Sequence, residues 1–189
     1  MKIILGSQSR GRRKMLQEMG YEFEVESANI DEKAIRIDDP KELTLALARA
    51  KAEALRAQFL ENAILITSDQ VVVWNGEIRE KPQDEKEAKE FLEGYNTHPA
   101  QTVTAVVVIN TATGKQAQGV DIATVYFSTF SEKDIREIIE DKSLFEMAGG
   151  FTVEGELWER HINKIEGKRD SVIGLPKELT ERLIHEVEQ

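Results

Sequence analysis

Residues 63–74 read AILITSDQVVVW, a run so apolar and β-branched that it belongs in a central strand covered on both faces of a sheet. Two polar residues, Asp69 and Gln70, break it midway. An unpaired buried carboxylate costs several kcal/mol, so Asp69 needs compensation. A metal ion or a functional cleft supplies it on one reading. On the other, backbone N–H groups at a strand end or bulge do so.

The rest of the chain arranges itself around this strand. Lys2 to Gly6 reads as a short strand, Arg12 to Met19 as a helix ended by Gly20, and Tyr21 to Glu26 as a second strand. Asp31-Glu32 is an acidic turn, after which Pro40 opens a helix with Leu43, Leu47, Ala50 and Ala54 as its expected buried stripe. Asn75-Gly76 before Glu77-Ile78 signals a hairpin. Asp84, with Glu87 as its capping-box partner, starts a helix to Leu92. Val103 to Asn110 and Ile122 to Phe130 read as strands, Ser131 to Glu140 as a capped helix, and Pro176 begins a final helix facing inward through Leu179, Leu183 and Val187. This mixture of βα units and hairpins predicts an α/β fold with a mixed, twisted sheet flanked by helices. With 189 residues and no repeat or Pro/Gly/Ser-rich linker, a single domain over residues 1–189 is expected.

The formal net charge is −10, which argues against a broad surface for a nucleic acid polymer, because phosphate backbones require clustered cations. Cysteine is absent, excluding disulfides, thiolate nucleophiles and cysteine-ligated metals. No signal peptide or membrane span is evident, and a cytoplasmic protein with no membrane partner is expected. The charge is nonetheless uneven: Lys2, Arg10, Arg12, Arg13 and Lys14 occur with no carboxylate among them. Such a cluster suits a small polyanion, or else a solvated helix face.

Ser7-Gln8-Ser9-Arg10-Gly11-Arg12-Arg13 lies where a strand gives way to a helix. There free backbone N–H groups and the positive end of the helix dipole favour an anion, and hydroxyls and guanidiniums add charge-assisted bonds. An ordinary Ser N-cap followed by surface arginines is the plain alternative, and the glycine-rich run of a P-loop is missing. Lys51 at the edge of its helix's apolar stripe, Lys81 before Pro82, and Glu32 in its turn each have a simple solvated reading. Together with Asp69 they supply what phosphoryl-transfer chemistry needs: carboxylates for a divalent ion and cations for phosphate oxygens. His98, His161 and His185 lack a zinc-ligand spacing, and Trp74 and Trp158 read as core or interface.

The motifs LGSQSRGRRKML, IDEKA, ARAKAEAL, TSDQVV, EKP, AGGFTVEG and DSVIGLPKEL run in order along nearly the whole chain, which thereby resembles the Maf-like nucleotide pyrophosphatases. The resemblance implies a fold like that of inosine triphosphate pyrophosphatases, with two lobes around a central cleft. It implies hydrolysis of nucleoside triphosphates to the monophosphate and pyrophosphate, with a divalent metal cation (Mg2+, Mn2+ or Co2+) as cofactor. By that resemblance Ser7, Ser9, Arg12, Arg13, Lys51 and Lys81 hold the triphosphate, Glu32 binds metal, and Asp69 is the proton acceptor or a second metal ligand. Gly11, Gln70 and Glu154 match positions that distinguish subgroups. Asp-Gln and Phe-Thr-Val-Glu-Gly resemble the subgroup acting on 7-methyl-GTP, UTP and CTP, while AGG and DSVIGLPKELTE look like a plant-type branch. A Glu at position 154 suits the N–H edge and positive charge of a methylated guanine. The resemblance also implies a homodimer. A nucleotide-binding regulatory protein that keeps the pocket and has lost efficient catalysis is the alternative, which gives Asp69 no purpose.

Overall fold

The computed structural model describes residues 1–58 and 62–189. In chain order the strands are β1 (Lys2–Leu5), β2 (Phe23–Val25), β3 (Ala63–Trp74), β4 (Glu77–Arg79), β5 (Ala100–Asn110), β6 (Gln116–Phe127) and β7 (Ile162–Glu166). The helices are α1 (Arg10–Glu18), α2 (Pro40–Arg56), α3 (Glu85–Tyr95), α4 (Glu132–Glu140), α5 (Glu156–Glu159), α6 (Arg169–Ile173) and α7 (Lys177–Glu188). The sheet order is β2-β1-β3-β5-β6-β7, with β4 paired to β3. β1 runs parallel to β2 and β3, whereas β4 and β7 are antiparallel to β3 and β6. The fold is therefore α/β with a mixed sheet, as the alternation of elements predicts.

The described chain clusters into two compact units. The first comprises Met1–Gln70, Thr104–Asp121 and Ile173–Gln189. Its core shows the period-two logic of a doubly covered sheet. Ile3, Leu5, Ile64, Ile66, Val106 and Val108 pack with Met15 and Leu16 of α1 and Leu179 and Leu183 of α7. The intervening residues Ile4, Leu65, Ala105, Val107 and Ile109 pack with Ala48, Ala52 and Leu55 of α2. The central-strand reading of residues 63–74 thus holds. At α2 the buried stripe is rotated from the expected one: Leu43, Leu47, Ala48, Lys51, Ala52 and Leu55 are buried, and Ala50 and Ala54 are only half-buried. Four alanines in seven residues, 48 to 54, leave the apolar period ambiguous, and packing against the sheet decides it.

The second unit comprises Val71–Val103 and Ile122–Val172. Its core is aromatic: Phe127 lies 5.2 Å from Phe151 and 5.5 Å from Tyr95 between ring centroids, and Trp158 closes the cluster against Phe130. Arg79, on β4, is buried here, with its guanidinium 3.8 Å from the centroid of Trp74 and 4.6 Å from that of Phe91. It also donates to the Phe91 carbonyl at 2.9 Å. β6 begins six residues before the expected Ile122 and ends at Phe127, and β7 was not foreseen, because its largely exposed Ile-Asn-Lys-Ile-Glu has no apolar stripe. Ser131 forms the full capping box with Asp134. Asp84 accepts from the Glu87 N–H, but the Glu87 carboxylate turns to Gln83 N at 2.6 Å instead of completing the box.

Candidate active site

Nine of the candidate residues, Ser7, Ser9, Gly11, Arg12, Arg13, Glu32, Lys51, Asp69 and Gln70, belong to the first unit; Lys81 and Glu154 belong to the second. The first unit's site begins at Asp69. Strand β3 carries it among buried neighbours, and its own exposure is 6%. What compensates it is neither a backbone bulge nor a strand end. Lys51, itself 9% exposed on the inward face of α2, donates from Nζ to Asp69 Oδ1 at 2.6 Å. The same ammonium lies 3.0 Å from Glu32 Oε1, in the short 3-10 turn Glu32–Ala34 that Asp31 caps through the Lys33 N–H. One cation is therefore shared by two carboxylates. Each carboxylate keeps a second oxygen, Asp69 Oδ2 and Glu32 Oε2, with no hydrogen-bond partner among the described residues.

Burial pushes the Asp69 carboxyl above the ordinary carboxylate range, the nearby charge of Lys51 and then that of Arg12 pull it back, and Glu32 adds a small upward push. Burial likewise lowers the Arg12 guanidinium, which the charges of Asp69 and Glu32 partly restore. Written with every group ionised, Arg12, Lys51, Glu32 and Asp69 form a quartet of zero net charge.

Arg12 stands in the first turn of α1, whose N-cap Ser9 accepts from the Arg12 N–H. Its side chain turns inward. Nε donates to Gly174 O at 3.0 Å, and Nη1 to Ser68 O at 2.7 Å and to Ser7 Oγ at 3.3 Å. Nη2 has no partner among the described residues. Ser7 Oγ also accepts from the Ser9 N–H at 3.2 Å, so the loop folds back on its first serine. Arg13 donates from Nη2 to Gln8 O at 3.0 Å, while its buried Nε has no partner. Of the loop's guanidinium donors, Arg12 Nη2 and the buried Arg13 Nε are thus left without a partner among the described residues.

Of the three positions expected to distinguish subgroups, Gly11 is a close-approach glycine. A Cβ there meets Ile173 Cγ2 at 2.7 Å and Ile173 O at 3.1 Å. Gln70 donates from Nε2 to Thr104 Oγ1 at 2.7 Å. Glu154 is half-buried before Gly155, its backbone N–H bound to Thr152 Oγ. Lys81 is exposed, in a segment fixed by its backbone: Gly149 N donates to Glu80 O at 2.9 Å, and Gln83 Nε2 to Lys81 O at 2.8 Å. The EKP and AGG motifs are hence neighbours within the second unit, and Tyr95 OH donates to Gly149 O to hold them. Among the described residues no group of three or more His, Asp or Glu side chains forms a metal-ligand cluster.

Sequence reasoning left out Ser68 and Gly174, which grip Arg12. No local signal marks this role, because the two residues accept from Arg12 across 56 and 162 positions of the chain.

The first unit thus brings two carboxylates onto one buried lysine and carries the strand-to-helix loop with Ser7, Ser9, Arg12 and Arg13. The sequence profile described as "Maf-like protein" matches residues 2–187, and the chain belongs to that family. It is 46% identical over 194 residues to a protein from Dictyostelium discoideum named 7-methyl-GTP pyrophosphatase, covering 99% of this chain and 98% of the relative. A protein of Vibrio cholerae named dTTP/UTP pyrophosphatase is 35% identical over 184 residues, covering 97% of each. A crystal structure titled nucleoside-triphosphatase / dITP/XTP pyrophosphatase from Mycobacterium abscessus aligns with a TM-score of 0.43 and 11% identity, covering 100% of this chain and 95% of that one.

Proposed function

We propose that this protein is a nucleoside triphosphate pyrophosphatase, hydrolysing the α–β phosphoanhydride to a nucleoside monophosphate and pyrophosphate. The observation that carries the reading is the Lys51 ammonium shared by Asp69 and Glu32. Full-length similarity to relatives with pyrophosphatase names supports it. In the reaction a water oxygen attacks the α phosphorus as the bond to the bridging oxygen of the β phosphate breaks. The water surrenders a proton and the leaving pyrophosphate gathers charge. Asp69 is suited to the first task, because a carboxylate whose proton affinity is raised by burial is a stronger base than an exposed one. Arg12, through Nη2, and the hydroxyls of Ser7 and Ser9 are suited to the second. Arg13, Lys51 and Lys81 supplement them.

The charges of Arg12 and Lys51 are already balanced by Asp69 and Glu32, so a triphosphate brings negative charge that this quartet does not neutralise. Asp69 Oδ2 and Glu32 Oε2 are hard, uncommitted oxygen donors, and two carboxylates completed by substrate phosphate oxygens are a usual set for Mg2+. The residues fit a divalent cation held by Glu32 and Asp69. Bound there, it supplies charge for the phosphate oxygens as the anhydride breaks.

The substrate class we favour is a modified purine or a pyrimidine triphosphate, with 7-methyl-GTP, UTP and CTP as candidates. Gln70 and Glu154 select among them. We further propose a homodimer working in the cytoplasm; among the described residues no helix is long and apolar enough to cross a membrane.

The test is incubation with Mg2+ or Mn2+ and a panel of triphosphates, assaying pyrophosphate and orthophosphate separately, with Asp69→Asn as control. Asp69-dependent pyrophosphate release is the expected result. Orthophosphate alone moves the cleavage to the γ phosphate, and tight binding without turnover replaces the enzyme with a nucleotide-binding regulator. Glu154→Gln should reorder the substrates with little change on the best one, and an unchanged order removes Glu154 from selectivity.

A further inference from the structure

Ser68 is completely buried beside Asp69, and the reaction described above does not use it. A buried hydroxyl is retained only where its hydrogen bond is made. Ser68 Oγ donates to Gly174 O at 3.0 Å, and that same carbonyl accepts from Arg12 Nε at 3.0 Å. The carbonyl of Ser68 in turn accepts from Arg12 Nη1 at 2.7 Å. Ser68 therefore holds Arg12 twice, once through its own backbone and once by fixing the carbonyl that receives the other end of the guanidinium.

The geometry has a directional consequence. A guanidinium is rigid and planar, so anchoring Nε and Nη1 fixes both its plane and the heading of Nη2. Nη2 is the end without a partner among the described residues. Gly174 shares in the device. Its φ is +109, a conformation that favours glycine, and a Cβ there sits 3.4 Å from Arg12 Nε. The lowered proton affinity of Arg12 shows what this arrangement overcomes: the guanidinium is held in a site that penalises its charge.

We infer that Ser68 is a positioning residue, which, with the Gly174 carbonyl, locks Arg12 so that its Nη2 edge is presented to a polyphosphate. The inference rests on the reading of the Ser7–Arg13 loop as a phosphate site, and adds a part to it that lies outside that loop. Ser68 touches no phosphate itself, so its effect must travel through Arg12.

The test is binding of inorganic tripolyphosphate with Mg2+, measured by calorimetry on the wild type, Ser68→Ala, Gly174→Ala, Arg12→Lys and the double variant Arg12→Lys/Ser68→Ala. This readout is independent of turnover, so failure of pyrophosphate release in the catalytic assay is a separate result. Ser68→Ala should weaken tripolyphosphate binding by about 5- to 10-fold, the usual effect of one buried hydrogen bond. In the catalytic assay it should raise KM for the triphosphate by a similar factor, with kcat within about 3-fold. Gly174→Ala should act in the same direction. In the Arg12→Lys background the Ser68 change should weaken binding by less than about 2-fold, because the group it orients is gone. A full, multiplicative loss in the double variant, unaltered tripolyphosphate affinity in Ser68→Ala, or a wild type that does not bind tripolyphosphate overturns the inference. A lowered Tm with unchanged affinity assigns Ser68 to packing alone.

Discussion

Asp69 and Lys51 are unequal partners in energy, although each answers the other's charge. The folded state holds the Asp69 proton more tightly than an unfolded chain does, because burial raises its pKa. The folded protein therefore binds more protons than the unfolded one once pH exceeds the ordinary carboxylate value. Stability accordingly falls as pH climbs from there to the raised folded value, and levels off above it. Asp69→Asn should lower pyrophosphate release by about 100-fold or more while leaving Tm at neutral pH equal to or above that of the wild type. It should also flatten the decline of Tm across the mildly acidic range. A Tm well below wild type at neutral pH contradicts this account. Lys51→Met has the opposite profile, since it strands a buried carboxylate with its nearest cation removed. Loss of activity should come with destabilisation of about 3 kcal/mol, read by urea unfolding, and Asp69→Asn in the same chain should recover much of it. The carboxylate was legible in the sequence because no other acidic residue interrupts so apolar a run. Its partner was less so, because Lys51 lies among alanines whose period does not fix which face is inward.

At the scale of elements, the site depends on how closely α1 approaches the segment that leads into α7. Gly11 makes that approach possible, as a Cβ there meets Ile173 at 2.7 Å. Gly11→Ala, usually a helix-stabilising exchange, should therefore destabilise the protein by about 1 to 3 kcal/mol through overpacking. It should also weaken triphosphate binding, because the turn that displaces is the one carrying Gly174, the anchor of Arg12. Unfolding titrations with KM measured in parallel test both effects, and a stabilised variant with unchanged KM refutes the packing argument. Here local and tertiary information diverge. The strand-to-helix loop and the order of βα units could be read from Ser9, Pro40 and the alternating strands, whose signals are local. The long-range acceptors of Arg12 and the edge strand β7 could not. The first depend on residues more than 50 positions away, and the second exposes both faces too fully to leave a periodic trace.

Across the whole molecule, β3, β5 and β6 each contribute residues to both units. Breaking the second unit without fraying the first means ending three hydrogen-bonded strands in mid-course, and a domain of this size commonly unfolds as one cooperative unit. Arg79 offers the means to ask. Its guanidinium is buried against Trp74, Phe91 and Tyr95, and it keeps a hydrogen bond to Phe91 O. Lysine cannot reproduce that stacked plane, and alanine leaves a void among aromatic rings. Arg79→Ala should cost about 3 kcal/mol or more, lowering Tm by about 10 °C for a chain of this length. The whole transition should move, followed both by Trp fluorescence, which reports the second unit, and by far-UV dichroism, which reports both. If the fluorescence midpoint falls while the remaining dichroism melts at the wild-type temperature, the shared strands do not couple the units. A single shifted transition, with equal calorimetric and van't Hoff enthalpies, means that the two units unfold together, as expected where β3 carries both Trp74 and the carboxylate five residues before it.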